Sequence, residues 1–127
     1  MTRYYDTLGE FERDGFAIIV DKTYEDIDPW DQLSECFDSK QELYADIDSG
    51  KYDWFMLRVR VLVEGHELAS EYLGGCLYKD AKDVLTDGTA EDLILVAMTD
   101  AKSQVYRLSK VFAGLSEQVD REGLSAV

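Results

Sequence analysis

Basic residues are scarce in this chain, and so are the usual ingredients of an active site. There is one histidine (His66), two cysteines, one proline and no long apolar run. Lysine and arginine number 13 against 27 aspartates and glutamates, a formal net charge of −14 over 127 residues. A chain this acidic is repelled by nucleic-acid backbones, because phosphate binding needs cations that displace condensed counterions. Anionic membrane surfaces repel it for the same reason. The longest apolar stretch, Leu93 to Met98, is six residues, far below the ~20 of a membrane span. The start, Met1-Thr2-Arg3-Tyr4-Tyr5-Asp6, has no apolar segment of signal-peptide type. The expectation is a soluble, cytoplasmic protein.

The same scarcity thins out catalysis. No C-x-x-C pair, second histidine or P-loop is present, so neither a metal nor a cofactor is expected. Asp26, Asp28 and Asp31 loosely match calcium-loop spacing, but Pro29 interrupts them and the glycine and closing glutamate are missing. Cys36 and Cys76 lie 40 residues apart without a motif. They are expected to be reduced core thiols, and spacing alone leaves a disulfide open. A Cys–His nucleophile pair would need Cys76 to fold back on His66 at Gly74-Gly75. The 27 acids offer many carboxylate pairs, and nothing singles one out. The chain is therefore read as a non-enzyme.

What is present suffices for a core. Apolar residues make up 46% and aromatics 12%, so one domain spanning 1–127 is expected. Tyr4, Leu8 and Phe11 are spaced 4 and 3, which predicts a short helix over 3–14 ended by Gly15. Phe16 to Val20 is β-branched and reads as a strand. Asp28-Pro29 opens a helix to about Phe37, with Asp as cap and Pro at the first position. Ser39-Lys40-Gln41-Glu42 is a capping box opening a second helix, stopped by Gly50.

Residues 54–63 alternate. Phe55, Leu57, Val59, Val61 and Val63 share one face, and Trp54, Met56, Arg58, Arg60 and Leu62 share the other. Glu64-Gly65 suggests a turn into a strand from His66 to about Tyr72. A two-residue loop pairs Val63 with His66. It then sets Arg58 opposite Glu71 and Arg60 opposite Ala69, diagonal to Glu67 and Glu71, with Leu68 and Tyr72 on the valine face. Gly74-Gly75 marks a bulge before Cys76-Leu77-Tyr78. A short helix over 80–85 follows, ended by Asp87-Gly88. Thr89 then caps a long amphipathic helix carrying Leu93, Ala97, Ala101, Val105, Leu108, Phe112 and Leu115. Thirty residues would span about 45 Å. Either the helix breaks at Gly114 or it offers a surface to a partner, a homodimer over 89–119 being one form. The fold class expected is α+β, a small antiparallel sheet of about three strands with helices packed on its apolar face.

Charge is uneven along the chain. Residues 21–53 hold 11 acids and 3 bases, more than half of the total excess. Asp28, Asp31, Glu35 and Asp38 step by 3, 4 and 3, one helical stripe opposite Trp30, Leu33 and Phe37. Glu42 and Asp46 step by 4 on the next helix. Like charges at such spacing cost a helix roughly 0.2–0.5 kcal/mol per pair. A solvated face needs no partner, and a salt-adapted chain is also acidic, although salt adaptation would load the whole surface. The alternative is that the row imitates backbone phosphates and attracts a basic groove, with Tyr24, Trp30 and Tyr44 as neighbouring aromatics.

The stretch Trp54 to Asp83 resembles small acidic bacteriophage accessory proteins, through Gly65-His66-Glu67-Leu68 and Tyr72-Leu73-Gly74-Gly75-Cys76-Leu77-Tyr78. The resemblance covers about a quarter of the chain and transfers no catalytic residue. It implies an anti-defence protein of anti-CRISPR or anti-restriction type, placed in the host cytoplasm if it is encoded by a phage. Together these readings predict an inhibitor that meets a basic nucleic-acid-binding protein (CRISPR effector, restriction enzyme or nuclease) through Asp28, Asp31, Glu35, Asp38, Glu42 and Asp46, with Tyr24 and Trp30. The alternatives are an immunity protein for a basic nuclease toxin, and a structural, oligomerising phage protein built on the 89–119 helix.

Overall fold

A computed structural model describes residues 3–122. Four strands, β1 (Asp6–Arg13), β2 (Phe16–Tyr24), β3 (Asp53–Val63) and β4 (His66–Tyr78), form one antiparallel sheet in the order β1-β2-β3-β4. Two short helices, α1 (Pro29–Leu33) and α2 (Lys40–Asp48), lie in the β2–β3 connection. A 3-10 turn (Ala81–Leu85) leads into α3 (Thr89–Glu122). The fold is α+β as expected, with four strands. Among the described residues, only α3 and the 3-10 turn cover the apolar face, while α1 and α2 mainly contact each other.

The additional strand is β1, where a helix was expected. Asp14 and Gly15 both have positive φ (54° and 85°), the geometry of a two-residue primed turn, for which Asp-Gly is a strong signal. The alternation is hidden by an irregularity between Thr7 and Gly9, which pair with Asp21 and Val20. That extra residue puts Leu8 and Phe11 three apart, a helical spacing in a strand.

Ile18 and Val20 of β2 pair with Val61 and Val59 of β3. With Phe55 and Leu57 they form a buried layer against Ala90, Ile94, Ala97, Met98 and Ala101 of α3. The alanines let the helix axis come close to the sheet, and burying each large apolar side chain contributes roughly 1.5–3 kcal/mol.

The β3–β4 turn is where the sequence places it. Glu64 and Gly65 have φ of 50° and 77°, and Val63 pairs with His66 and Leu62 with Glu67. The register then shifts, so that Val61 pairs with Ala69, Arg60 with Ser70 and Arg58 with Tyr72. Leu68 is the bulged residue and still packs on the core. Tyr72 therefore shares the face of Arg58 and is half exposed, not seated on the valines. Glu71 moves to the α3 side, where a hydrogen bond to Asp100 holds its carboxyl above its ordinary pKa. A second shift, between Phe55 and Leu57, sets Met56 opposite Gly74-Gly75.

Arg58 finds its acid on β2. Its Nε and Nη2 donate to Asp21 at 2.8 and 2.6 Å. The hydrogen bonds to Asp21 hold the guanidinium above its usual pKa against the opposing effect of burial. The Tyr5 ring lies 3.4 Å from the guanidinium carbon, and Thr23 donates its hydroxyl to the Tyr4 carbonyl at 2.8 Å. The chain before β1 thus lies over the face away from α3. Arg60 donates to Glu67 at 2.7 Å, the diagonal pair expected.

Both cysteines are free thiols. Cys76 is buried and Cys36 is exposed, because the segment after α1 is a surface turn and not a core-facing helix. Burial pushes the Cys76 thiol up to about 11. No described helix is long and apolar enough to cross a membrane.

Candidate acidic binding lobe

Residues 25–52 leave the sheet after Tyr24 and return beside it, since Tyr24 pairs with Phe55. Both helices start where local chemistry says they should. Asp28 has extended dihedrals and accepts the Trp30 N–H at 3.0 Å, with Pro29 at the first helical position. Ser39 does the same for Glu42 at 3.0 Å. Leu43 is fully buried, and Phe37 and Tyr52 meet edge to face with ring centroids 6.2 Å apart. The Trp54 indole N–H donates to the Ile27 carbonyl at 2.9 Å, and the Glu25 carboxylate accepts the Gly75 N–H at 3.1 Å. These two bonds tie the lobe to β3 and β4.

The expected single-helix stripe is not formed. α1 stops at Leu33, and the Cys36 N–H bonds to the Leu33 carbonyl at 2.9 Å. Residues 34–36 form a turn, and Ser39 is extended (φ −146°, ψ 147°) where it caps α2. Asp28 is the cap and Asp31 lies in the helix, Glu35 lies in a turn, and Asp38 precedes the second cap.

The eight candidate residues divide accordingly. Asp28 is engaged inside the lobe: it accepts the Tyr44 hydroxyl at 2.5 Å. That bond, aided by the Trp30 N–H, holds its carboxyl below the ordinary range. The same bond pushes the Tyr44 phenol up to about 12, and nearby Asp31 adds to the effect. Asp46 is half-buried and pairs with Lys51 at 3.7 Å. Tyr24 is exposed, but the Arg3 guanidinium lies 4.3 Å from its ring centroid. Trp30 is half-buried. Asp31, Glu35, Asp38 and Glu42 are exposed, and none has a cationic partner among the described residues.

The rest of the sheet contrasts with this lobe. All four basic residues in the strands are in ion pairs: Arg13 with Glu91, Lys22 with Asp53, Arg58 with Asp21, and Arg60 with Glu67. In the lobe itself, Lys40 lies 5.7 Å from the Tyr44 ring centroid.

Sequence reasoning missed Tyr44 as the link between α1 and α2, and Arg3 as a clamp on the lobe's entry, where it donates to Asp26 at 2.5 Å and the Tyr24 carbonyl at 2.9 Å. All three bonds span 16 or more residues, beyond any local pattern. Among the described residues, no group of three or more His, Cys, Asp or Glu side chains is placed to hold a metal. Comparison with protein-family models, with curated proteins and with solved structures finds no match to this chain, so the lobe's chemistry stands on its own geometry.

Proposed function

We propose that this protein is a non-enzymatic inhibitor that offers its acidic lobe to the basic groove of a nucleic-acid-handling protein. The anti-defence setting, with a CRISPR effector or restriction enzyme as target, rests on the resemblance to phage accessory proteins. The observation that carries the reading is the set Asp31, Glu35, Asp38 and Glu42, exposed and without a cationic partner among the described residues. Unneutralised carboxylates hold a negative potential that steers a basic partner and weakens as salt screens it. Asp28 and Asp46 shape the lobe instead, since their carboxylates are engaged within it.

DNA cleavage by purified CRISPR effectors and restriction enzymes, with and without the protein, tests the reading. Wild-type protein is expected to suppress cleavage by its target near 50 mM salt and to lose most of that effect by about 200 mM, as groove-binding polyanions do. The Asp31→Lys/Glu35→Lys variant, folded by circular dichroism, is expected not to inhibit. Undiminished inhibition by that variant refutes the role of the lobe.

A further inference from the structure

The exposed acids of the lobe do not share one element. Asp31 lies on α1, Glu35 and Asp38 lie in the segment after it, and Glu42 lies on α2. Their relative placement therefore depends on how α1 is held against α2. None of the α1 side chains is fully buried, so burial alone fixes that helix loosely. The acids on the two elements also repel one another. Two anchors flank α1: the Trp54 indole holds the Ile27 carbonyl before it, and Phe37 meets Tyr52 after it. Between those anchors, the bond from the Tyr44 hydroxyl to Asp28 is the one side-chain hydrogen bond among the described residues that joins the start of α1 to α2.

The atoms of that bond separate roles that a carboxylate usually combines. Asp28 accepts the Trp30 N–H at 3.0 Å and the Tyr44 O–H at 2.5 Å on the same oxygen, Oδ1. One atom thus starts α1 and fastens it to α2. The charged groups that act on the pair are Lys40, whose ammonium lies 5.7 Å from the Tyr44 ring centroid, and Asp31. Neither bond requires the negative charge of Asp28, since an amide oxygen accepts both.

Building on the inhibitory reading of the lobe, we infer that Tyr44 is its positioning residue. Through Asp28 Oδ1 it sets Asp31, Glu35 and Asp38 relative to Glu42, and the charge of Asp28 is not part of what the partner reads. A surface held in its bound arrangement before contact loses less conformational entropy at contact. The basic groove then meets a fixed pattern of charge instead of two helices that swing independently.

Three variants divide bond, cap and charge. Tyr44→Phe deletes the bond and keeps the cap and every carboxylate. Asp28→Asn deletes one charge and keeps both bonds, because Asn caps a helix as well as Asp does. Asp28→Ala deletes all three. In the cleavage assay, Tyr44→Phe and Asp28→Ala are expected to raise the half-inhibitory concentration about tenfold. Asp28→Asn is expected to leave it within about twofold. Backbone order parameters of the free protein, from nitrogen relaxation, need no target. Over residues 30–37 they should stay near ~0.85 in the wild type and Asp28→Asn, and fall towards about 0.6 in Tyr44→Phe, with the strands unchanged. Unchanged order parameters or undiminished inhibition in Tyr44→Phe, or lost inhibition in Asp28→Asn, each overturns the positioning role. Full inhibition by Tyr44→Phe alongside none by Asp31→Lys/Glu35→Lys removes that role alone. Full inhibition by Asp31→Lys/Glu35→Lys removes the lobe reading, and the order parameters then still decide whether Tyr44 fixes α1.

Discussion

Asp21 is 3% exposed, and its carboxylate is matched by both donors that Arg58 turns towards it. Removing one partner of a buried pair leaves the other charge without compensation. Asp21→Asn is therefore expected to lower the unfolding free energy by about 3 kcal/mol, read from urea denaturation. The Asp28–Tyr44 bond is exposed, and its signature is pH dependence. The Asp28 carboxyl lies below its ordinary pKa in the folded protein, so its contribution is present above the ordinary carboxylate range and is lost as pH falls through the depressed value. The Tyr44 phenol is raised to about 12. Its contribution is complete below the unfolded value of about 10 and fades as pH rises towards 12. Tyrosinate absorbance should show a late step near pH 12 that Tyr44→Phe lacks. The caps Asp28 and Ser39 were legible in the sequence because a capping bond reaches only two or three residues. The partner of Arg58 was not, because it depends on the register of a strand 37 residues away.

At the scale of elements, irregularities separate pattern from structure. The β3 alternation was clear: Phe55, Leu57, Val59 and Val61 are buried as it assigns them, while Val63 is half-buried and Leu62, assigned to the other face, is buried. The bulge at Leu68 then reassigns everything across from it, moving Tyr72 out and Glu71 towards α3. The extra residue near Leu8 disguised β1 as a helix, although Asp14-Gly15 marked its hairpin. In the candidate site, the acids were legible from composition, but their alignment was not. It assumed a helix to Phe37, whereas α1 ends at Leu33 and residues 34–36 form a turn. The bulge at Gly74-Gly75 was predicted, and it gives a test. Gly75 has φ 70°, and a Cβ there would meet the Gln32 amide and Trp54. Gly75→Ala is expected to cost about 1–2 kcal/mol in thermal or urea unfolding. Gly114 in α3 differs, since nothing lies within 4 Å of a Cβ built there. Gly114→Ala should strengthen the helix by about 1 kcal/mol, seen as a gain in far-ultraviolet helical signal.

Across the whole molecule, each strand pairs with its sequence neighbour, and the acidic lobe is inserted between two of them. The lobe enters after Tyr24 and leaves before Phe55, which face each other in the ladder. A two-residue Asn-Gly turn could therefore join Asp26 to Asp53 in the existing register. Replacing residues 27–52 in this way is expected to leave the sheet and α3 folded by circular dichroism while abolishing inhibition. Loss of the fold would show instead that the lobe is integral to the core. Because its two ends are already neighbours, the excursion behaves as a cassette. Natural variation can lengthen, shorten or recharge it, and an engineer can exchange it, without either having to solve the folding problem again.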